Sequence, residues 1–323
     1  MNQPLVSIIV SCYNAEKYIR DTLQTLVTQT YSNLEIIVVN DGSTDASEQK
    51  IKSVVDERIR YYYQTNKGQC AALNFGFSKS SGSLIKFYDA DDLLNNVSIQ
   101  AQVESLNGKG DSEVSFMEWR RFYNDKIPDD IDVINYNTIH KNCTPAEYLT
   151  FFTVPMVQCG IWLLPRALLL KSGLWDERLS LINDIEFFPR VLSFTTGLVF
   201  SEKGYTLYRT NYNNNSLSSD FSRKGIKSAL IATDGAAEYF LKIENSDRVR
   251  KIIVNSYVLI LEWAYPKHPV YVKLIEKRLK KYPQYKIVHT KSSKAYNILM
   301  SLLGWKITQR FAIIYYRWRY NRK

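Results

Sequence analysis

Four short runs of apolar and β-prone residues, each separated from the next by a segment with helical spacing, constrain this chain more than any other feature. The runs are "LVSIIVSCY" (5–13), "LEIIVVN" (34–40), "RIRYYYQ" (58–64) and "SLIKFY" (83–88). A strand with one face in water alternates apolar with polar residues. The near-continuous runs of this chain fit strands covered on both faces. Between them, "AEKYIRDTLQTLV" (15–27) puts Ile19, Leu23, Leu26 and Val27 on one helical face. "DGSTDASEQKIKSVV" (41–55) reads as a turn and then a helix that Ser43 or Thr44 can cap, and "GQCAALNFGFSKS" (68–80) as a small-residue helix ending near Gly82. The order βαβαβαβ predicts an α/β fold, a mostly parallel sheet with helices on both faces.

In sheets of this kind ligands bind outside the carboxyl ends of the strands. The polar residues fall at those ends: Tyr13 and Asn14 after the first strand, Asp41 after the second, residues 66–69 after the third, and Asp89, Asp91 and Asp92 after the fourth. Four loops therefore converge on one rim. The carboxylates of "KFYDADDLL" (86–94) have two readings. One is a solvated turn in which Asp92 or Asn95 caps the next helix. The other is a site for a hard divalent cation, which takes carboxylate and phosphate oxygens.

The second half is less regular. "EVSFMEWRRFYND" (113–125) reads as a strand, "PRALLLKSG" (165–173) and "NDIEFFPRVLSF" (183–194) as short helices, and "GLVFSEKGYTLYR" (197–209) as a pair of short strands. Pro189 interrupts the second helix unless it lies in its first turn. "NYNNNSLSSD" (211–220) is polar and loop-like, and divides the chain into residues 1–220 and a helical region, 221–323. Cys12, Cys70, Cys143 and Cys159 show no metal-ligand spacing and read as reduced thiols of a cytosolic protein. No stretch has the pattern of a secretory leader or a membrane span.

Charge is uneven. Of 42 Lys and Arg residues, thirteen follow Glu276 with no Asp or Glu among them, which leaves 29 basic against 32 acidic residues over 1–276. The tail carries the basic pI, which therefore describes the tail's partner and not the body's. Leu299, Leu303, Ile307, Phe311, Ile314 and Trp318 recur at helical spacing, with Lys306, Arg310 and Arg317 alongside. Such a helix either packs on the core or lies on an anionic membrane. Nucleic acid also attracts basic aromatic segments, but nothing in the rest of the chain supports it.

Seven stretches, "VSIIVSCYN", "LEIIVVNDGSTD", "NKGQCAALNFG", "GSLIKFYDADD", "GLWDERL", "NDIEFFPRVL" and "YTLYRTNYNNNSLS", occur in the order and spacing of family 2 glycosyltransferases of the GT-A fold. The resemblance covers roughly residues 4–218 and is to the bacterial type that builds surface polysaccharides. It implies a Rossmann-like GT-A domain that binds a nucleotide-sugar donor, with Ser11, Tyr13, Asp41, Asn74, Asp89 and Arg209 at the nucleotide sugar. Asp41 would accept from the base, Tyr13 would stack on it, Asp89 would lie toward the ribose, and Arg209 would reach the diphosphate. Asp91 would hold Mg²⁺ or Mn²⁺, and Asp92 would order the loop. Asp184 would be the catalytic base of an inverting transfer, with Glu186 and Arg190 paired beside it. Trp162 and Trp175 are either acceptor platforms or core. Two positions depart from the commonest pattern: Leu73 stands where many members carry Arg, and Asn211 where some carry a metal-binding His.

The expected function is transfer of a sugar, from UDP by preference, to a glycan or lipid-linked glycan at the inner face of the cell membrane. The rival from another class is a catalytically silent nucleotide-sugar-binding subunit of an assembly complex.

Overall fold

A computed structural model describes residues 3–123, 139–151, 158–210, 220–285 and 294–320. The four apolar runs form β1 (Val6–Cys12), β2 (Leu34–Asp41), β3 (Ile59–Gln64) and β4 (Leu84–Asp89). They pair in parallel in the order β3-β2-β1-β4. Every residue of β2, and all but Ser11 of β1, is buried, because helices cover both faces. The covering elements are α1 (Ile19–Val27), α2 (Ser47–Lys52) and α3 (Gln69–Lys79). The small residues of α3 let it lie close on β1 and β2. A Cβ at Gly76 would stand 2.4 Å from Ile9 Cγ2, so this helix has no room for a larger side chain there.

Beyond β4 the sheet continues through β7 (Trp162–Pro165), β6 (Glu113–Tyr123), β8 (Gly197–Thr210) and the short β5 (Leu93–Leu94), eight strands in all among the described residues. β7 runs antiparallel to both of its neighbours, and β6 and β8 are parallel. The expected pair of short strands over 197–209 is therefore one strand. Ser201 pairs with Met117 and Tyr205 with Glu118, so residues 202–204 bulge out of the register and the strand resumes. "EKG" resembles a turn in sequence, but the chain does not reverse there.

Helices α4 (Ser98–Ser105), α5 (Pro145–Tyr148), α6 (Arg166–Ser172) and α7 (Asn183–Leu192) complete this layer. Pro189 lies inside α7, past its first turn, and does not end it. The helix is held from outside its own hydrogen-bond ladder. Buried Arg190 pairs with Glu186 at 2.7 Å and donates to the carbonyls of Ser172, Gly173 and Leu174. Trp162 and Trp175 are 1% and 4% exposed, and Trp175 stacks on Phe187 with ring centroids 3.8 Å apart. Both are core rather than acceptor platforms.

The remaining helices are α8 (Arg223–Ile243), α9 (Asp247–Ala264), α10 (Pro269–Leu279) and α11 (Lys294–Tyr320). α8 and α9 start at serine caps, Ser222 and Ser246, which accept from the backbone N–H groups of Gly225 and Val249. A second apolar core joins α8, α9 and α10 to Leu181 and Ile185 at the head of α7. α11 is broken at Gly304, whose φ of 74° is left-handed, so the tail is bent where its sequence spacing reads as continuous. Among the described residues no helix is long and apolar enough to cross a membrane. All four cysteines are free.

Candidate active site

The parallel strands deliver their C-terminal ends to one rim. β4 places Asp89 there, beside Ser11 of β1 in the sheet register. The turn that follows sorts the three carboxylates by environment. Asp92 is fully buried and accepts from Arg209 N at 2.9 Å and from Gln158 Nε2 at 2.6 Å. It orders the loop, as its position in the motif implies. Asp89 and Asp91 keep some contact with solvent. Asp89 accepts from Gln69 Nε2 at 2.9 Å.

Burial pushes the Asp89 carboxyl up to about 7, and the charges of Asp91 and Asp184 add to it. Burial also raises Asp91, against the pull of the Arg209 guanidinium. Arg209 is itself fixed. Its Nε donates to the Asp91 carbonyl at 2.8 Å, and its guanidinium lies 4.5 Å from the ring centres of both Tyr18 and Phe122. It lines a cleft of about 360 Å³ together with Lys17, Tyr18 and Asp21.

Asp184 comes from the second half of the chain, in the first turn of α7. The chain turns sharply before it, with Ile182 at φ 51°, a left-handed value that is unusual for a β-branched residue. Asp184 Oδ1 accepts from Ile185 N at 2.9 Å, and burial raises its carboxyl to about 6. The two halves are physically joined. Asn183 Nδ2 donates to Gln69 Oε1 at 3.1 Å, and Gln69 donates onward to Asp89. Gln69 was expected on the rim, within residues 66–69, but without a role of its own, and no role was expected for Asn183. Their signal was weak: one polar residue heading a small-residue helix, and one amide preceding Asp184.

The other candidates are placed as follows. Tyr13 is 51% exposed on the rim beyond β1. Asp41 is 2% exposed and accepts from Gln64 Nε2, Lys67 N and Gly68 N at 2.7–2.9 Å, so its carboxylate shapes the loop leading into α3. Asn74 is not turned to the carboxylates. Its amide donates to Trp175 O and Glu177 Oε1 and accepts from Trp175 N, which binds α3 to residues 175–177. Leu73 lies in the core, 1% exposed. Asn14 follows Tyr13 after the end of β1. Its Oδ1 accepts from Thr44 N at 2.8 Å, while Ser43 Oγ accepts from Asn14 N, so these three residues tie two rim loops together. Ser43 and Thr44 accordingly leave α2 uncapped, and Asp45 accepts from Ser47 N at 3.0 Å instead. Asn211 lies outside the described residues.

Among the described residues no group of three or more His, Cys, Asp or Glu side chains could hold a metal ion. The donor set still suits a hard cation shared with a ligand. Asp89 and Asp91 are two carboxylates held together against their mutual repulsion, and a divalent ion with added phosphate oxygens relieves that repulsion.

Comparison with known proteins places the sequence and the fold. The sequence profile described as "Glycosyl transferase family 2" matches residues 7–171. An uncharacterised glycosyltransferase of Rickettsia typhi is 31% identical over 253 residues, 74% of this chain and 78% of that protein. Glycosyltransferase GlyA of Streptococcus pneumoniae is 46% identical over 106 residues, 32% of this chain; the match spans only 15% of that protein's length. In fold, the chain is similar to residues 1–349 of TarS of S. aureus in complex with UDP-GlcNAc, with a TM-score of 0.60 at 18% identity over 86% of this chain and 78% of that one. It is also similar to the mannosyltransferase PcManGT of Pyrobaculum calidifontis in complex with GDP-Man and Mn²⁺, with a TM-score of 0.52 at 14% identity over 100% and 89%.

Proposed function

The chain belongs to glycosyl transferase family 2, and from that premise we propose that it moves a sugar from a UDP-linked donor to a glycan or lipid-linked glycan in surface polysaccharide synthesis, with inversion at the anomeric carbon. Residues 1–220 form the catalytic unit in this reading and 221–323 a helical extension. The observation that carries the proposal is the linked pair of carboxylates. Asp89 and Asp184 come from different elements, lie close enough for the charge of Asp184 to raise Asp89, and are linked through Gln69 and Asn183.

The chemistry follows from the environment of each residue. An acceptor hydroxyl is a weak nucleophile until its proton is being removed. Asp184, raised to about 6, is ionised at neutral pH yet basic enough to take that proton. As the acceptor oxygen bonds to the anomeric carbon, the bond from that carbon to the diphosphate oxygen breaks on the opposite side. The electron pair leaves with the diphosphate. Asp91, with Asp89 beside it, would hold Mg²⁺ or Mn²⁺. Such an ion supplies positive charge where the leaving group becomes more negative. Arg209, whose guanidinium acts on Asp91, would add positive charge there, and it fixes the loop through the Asp91 carbonyl. Tyr13 offers an exposed ring for stacking on the base, and Ser11 flanks Asp89.

Calorimetric titration of UDP tests the cation site. The intact protein should bind UDP in the presence of Mn²⁺ and lose that affinity when the metal is chelated. Asp91→Ala should bind equally weakly in both conditions. Equal Mn²⁺-dependent affinity in the variant would remove Asp91 from the site. Tight binding without turnover of any nucleotide sugar would favour the silent subunit.

A further inference from the structure

The catalytic reading leaves α11 unexplained. It is a long helix that does not bury its apolar side. Leu299, Leu302, Leu303, Ile307, Phe311 and Ile314 are 40–74% exposed, and they fall on both sides of the bend at Gly304. Isolated exposed leucines are ordinary, but a row at helical spacing marks an interaction surface.

The opposite side of the same helix is anchored at the bend. Trp305 packs edge-on against Tyr265 with centroids 5.0 Å apart, and Tyr265 OH donates to the Lys306 carbonyl at 3.0 Å. Lys306 Nζ pairs with Glu276 of α10 at 2.8 Å, and Thr308 is 1% exposed. The helix is therefore seated with its apolar row outward rather than simply left over from the core.

Charge selects the occupant. Residues 277–323 hold thirteen basic and no acidic side chains. Lys273 and Lys280 lie three residues before and four after Glu276, so they share the side of α10 that meets α11, and both are exposed. The rest of the chain, with 29 basic and 32 acidic residues, would be repelled by an anionic surface rather than drawn to it. A protein partner with an apolar groove would need no such excess of cations. An anionic lipid surface uses both features at once: the row enters the acyl boundary and the Lys and Arg side chains meet the headgroups.

We propose that α11 is an interfacial helix that docks this protein on an anionic membrane, with the bend at Gly304 as its fixed point on the α9–α10 pair. This surface does not depend on the donor chemistry, so either proposal can fail alone.

The test is co-sedimentation of the intact protein with vesicles of phosphatidylcholine alone and with phosphatidylglycerol added. Binding should require the anionic lipid, and high salt should weaken it without abolishing it. Leu302→Glu combined with Ile314→Glu alters two of the most exposed positions and should cut vesicle binding at least tenfold with an unchanged melting temperature. Lys273→Glu combined with Lys280→Glu leaves the row intact and should weaken binding at low salt more than at high salt. Unchanged binding in the first double variant would overturn the proposal. So would RNA retention as strong as vesicle binding, or a dimer in analytical ultracentrifugation that the Leu302→Glu and Ile314→Glu changes dissociate while vesicle binding persists. In the last case the row is an interface between two copies of the chain.

Discussion

Asp89 opposes folding at neutral pH. Its carboxyl, raised to about 7, is protonated more readily in the folded chain than in the unfolded one. Between the ordinary aspartate range and about 7 the folded state therefore binds the extra proton, and stability falls as pH rises through that window. Asp184, raised to about 6, acts in the same direction over a narrower range. Asp89→Asn keeps the shape and removes the charge. It should raise the melting temperature by a few degrees at about pH 7.5 and change little near pH 4, where aspartate is itself neutral in the folded state. Mn²⁺ with UDP should narrow the difference by stabilising only the native chain at neutral pH. A variant less stable than the parent at neutral pH would show that the Gln69 bond, not the buried charge, dominates. Turnover should in turn decline as pH drops through about 6, where Asp184 takes up its proton, and a profile flat down to pH 5 would point to another base.

Among the elements, α7 connects site to scaffold, and Arg190 fixes it. Arg190→Leu would leave Glu186 buried without its partner and three carbonyls without their donor. The expected loss is about 3–5 kcal/mol in urea unfolding, larger than that of any surface charge. This ion pair was readable in the sequence from its i, i+4 spacing, and so was the βαβ order, because strands buried on both faces leave continuous apolar runs. What could not be read depends on distant partners. Pro189 looks like a helix end, but contacts to residues 172–174 hold the helix through it. "EKG" reads as a turn, but parallel pairing with β6 resumes beyond it. Asn74 fits a donor-binding motif, but residues 175–177, a hundred positions away, occupy its amide. The bend at Gly304 shows in sequence as a single glycine within an unbroken apolar period.

Over the whole molecule, two cores meet at α7. Helices α8–α10 pack against Leu181 and Ile185, next to Asp184, so the extension supports the residue proposed as base as well as carrying α11. Ser228 reinforces that seam, its hydroxyl accepting from the N–H groups of Ser180 and Leu181 at 2.8 and 2.9 Å. Ser228→Ala should leave those two donors unpaired, cost about 1–3 kcal/mol in urea unfolding, and lower turnover more than donor affinity. Whether a sugar leaves a nucleotide with Asp184 as base is decided by the rate of UDP release from a UDP-sugar with Mn²⁺ and acceptor. The intact protein and Asp184→Asn would be compared at equal donor occupancy. A fall of about a hundredfold or more, with donor affinity almost unchanged, is expected. A rate within a few-fold of the parent would contradict the assignment of Asp184 and, with it, the mechanism built on the linked carboxylates.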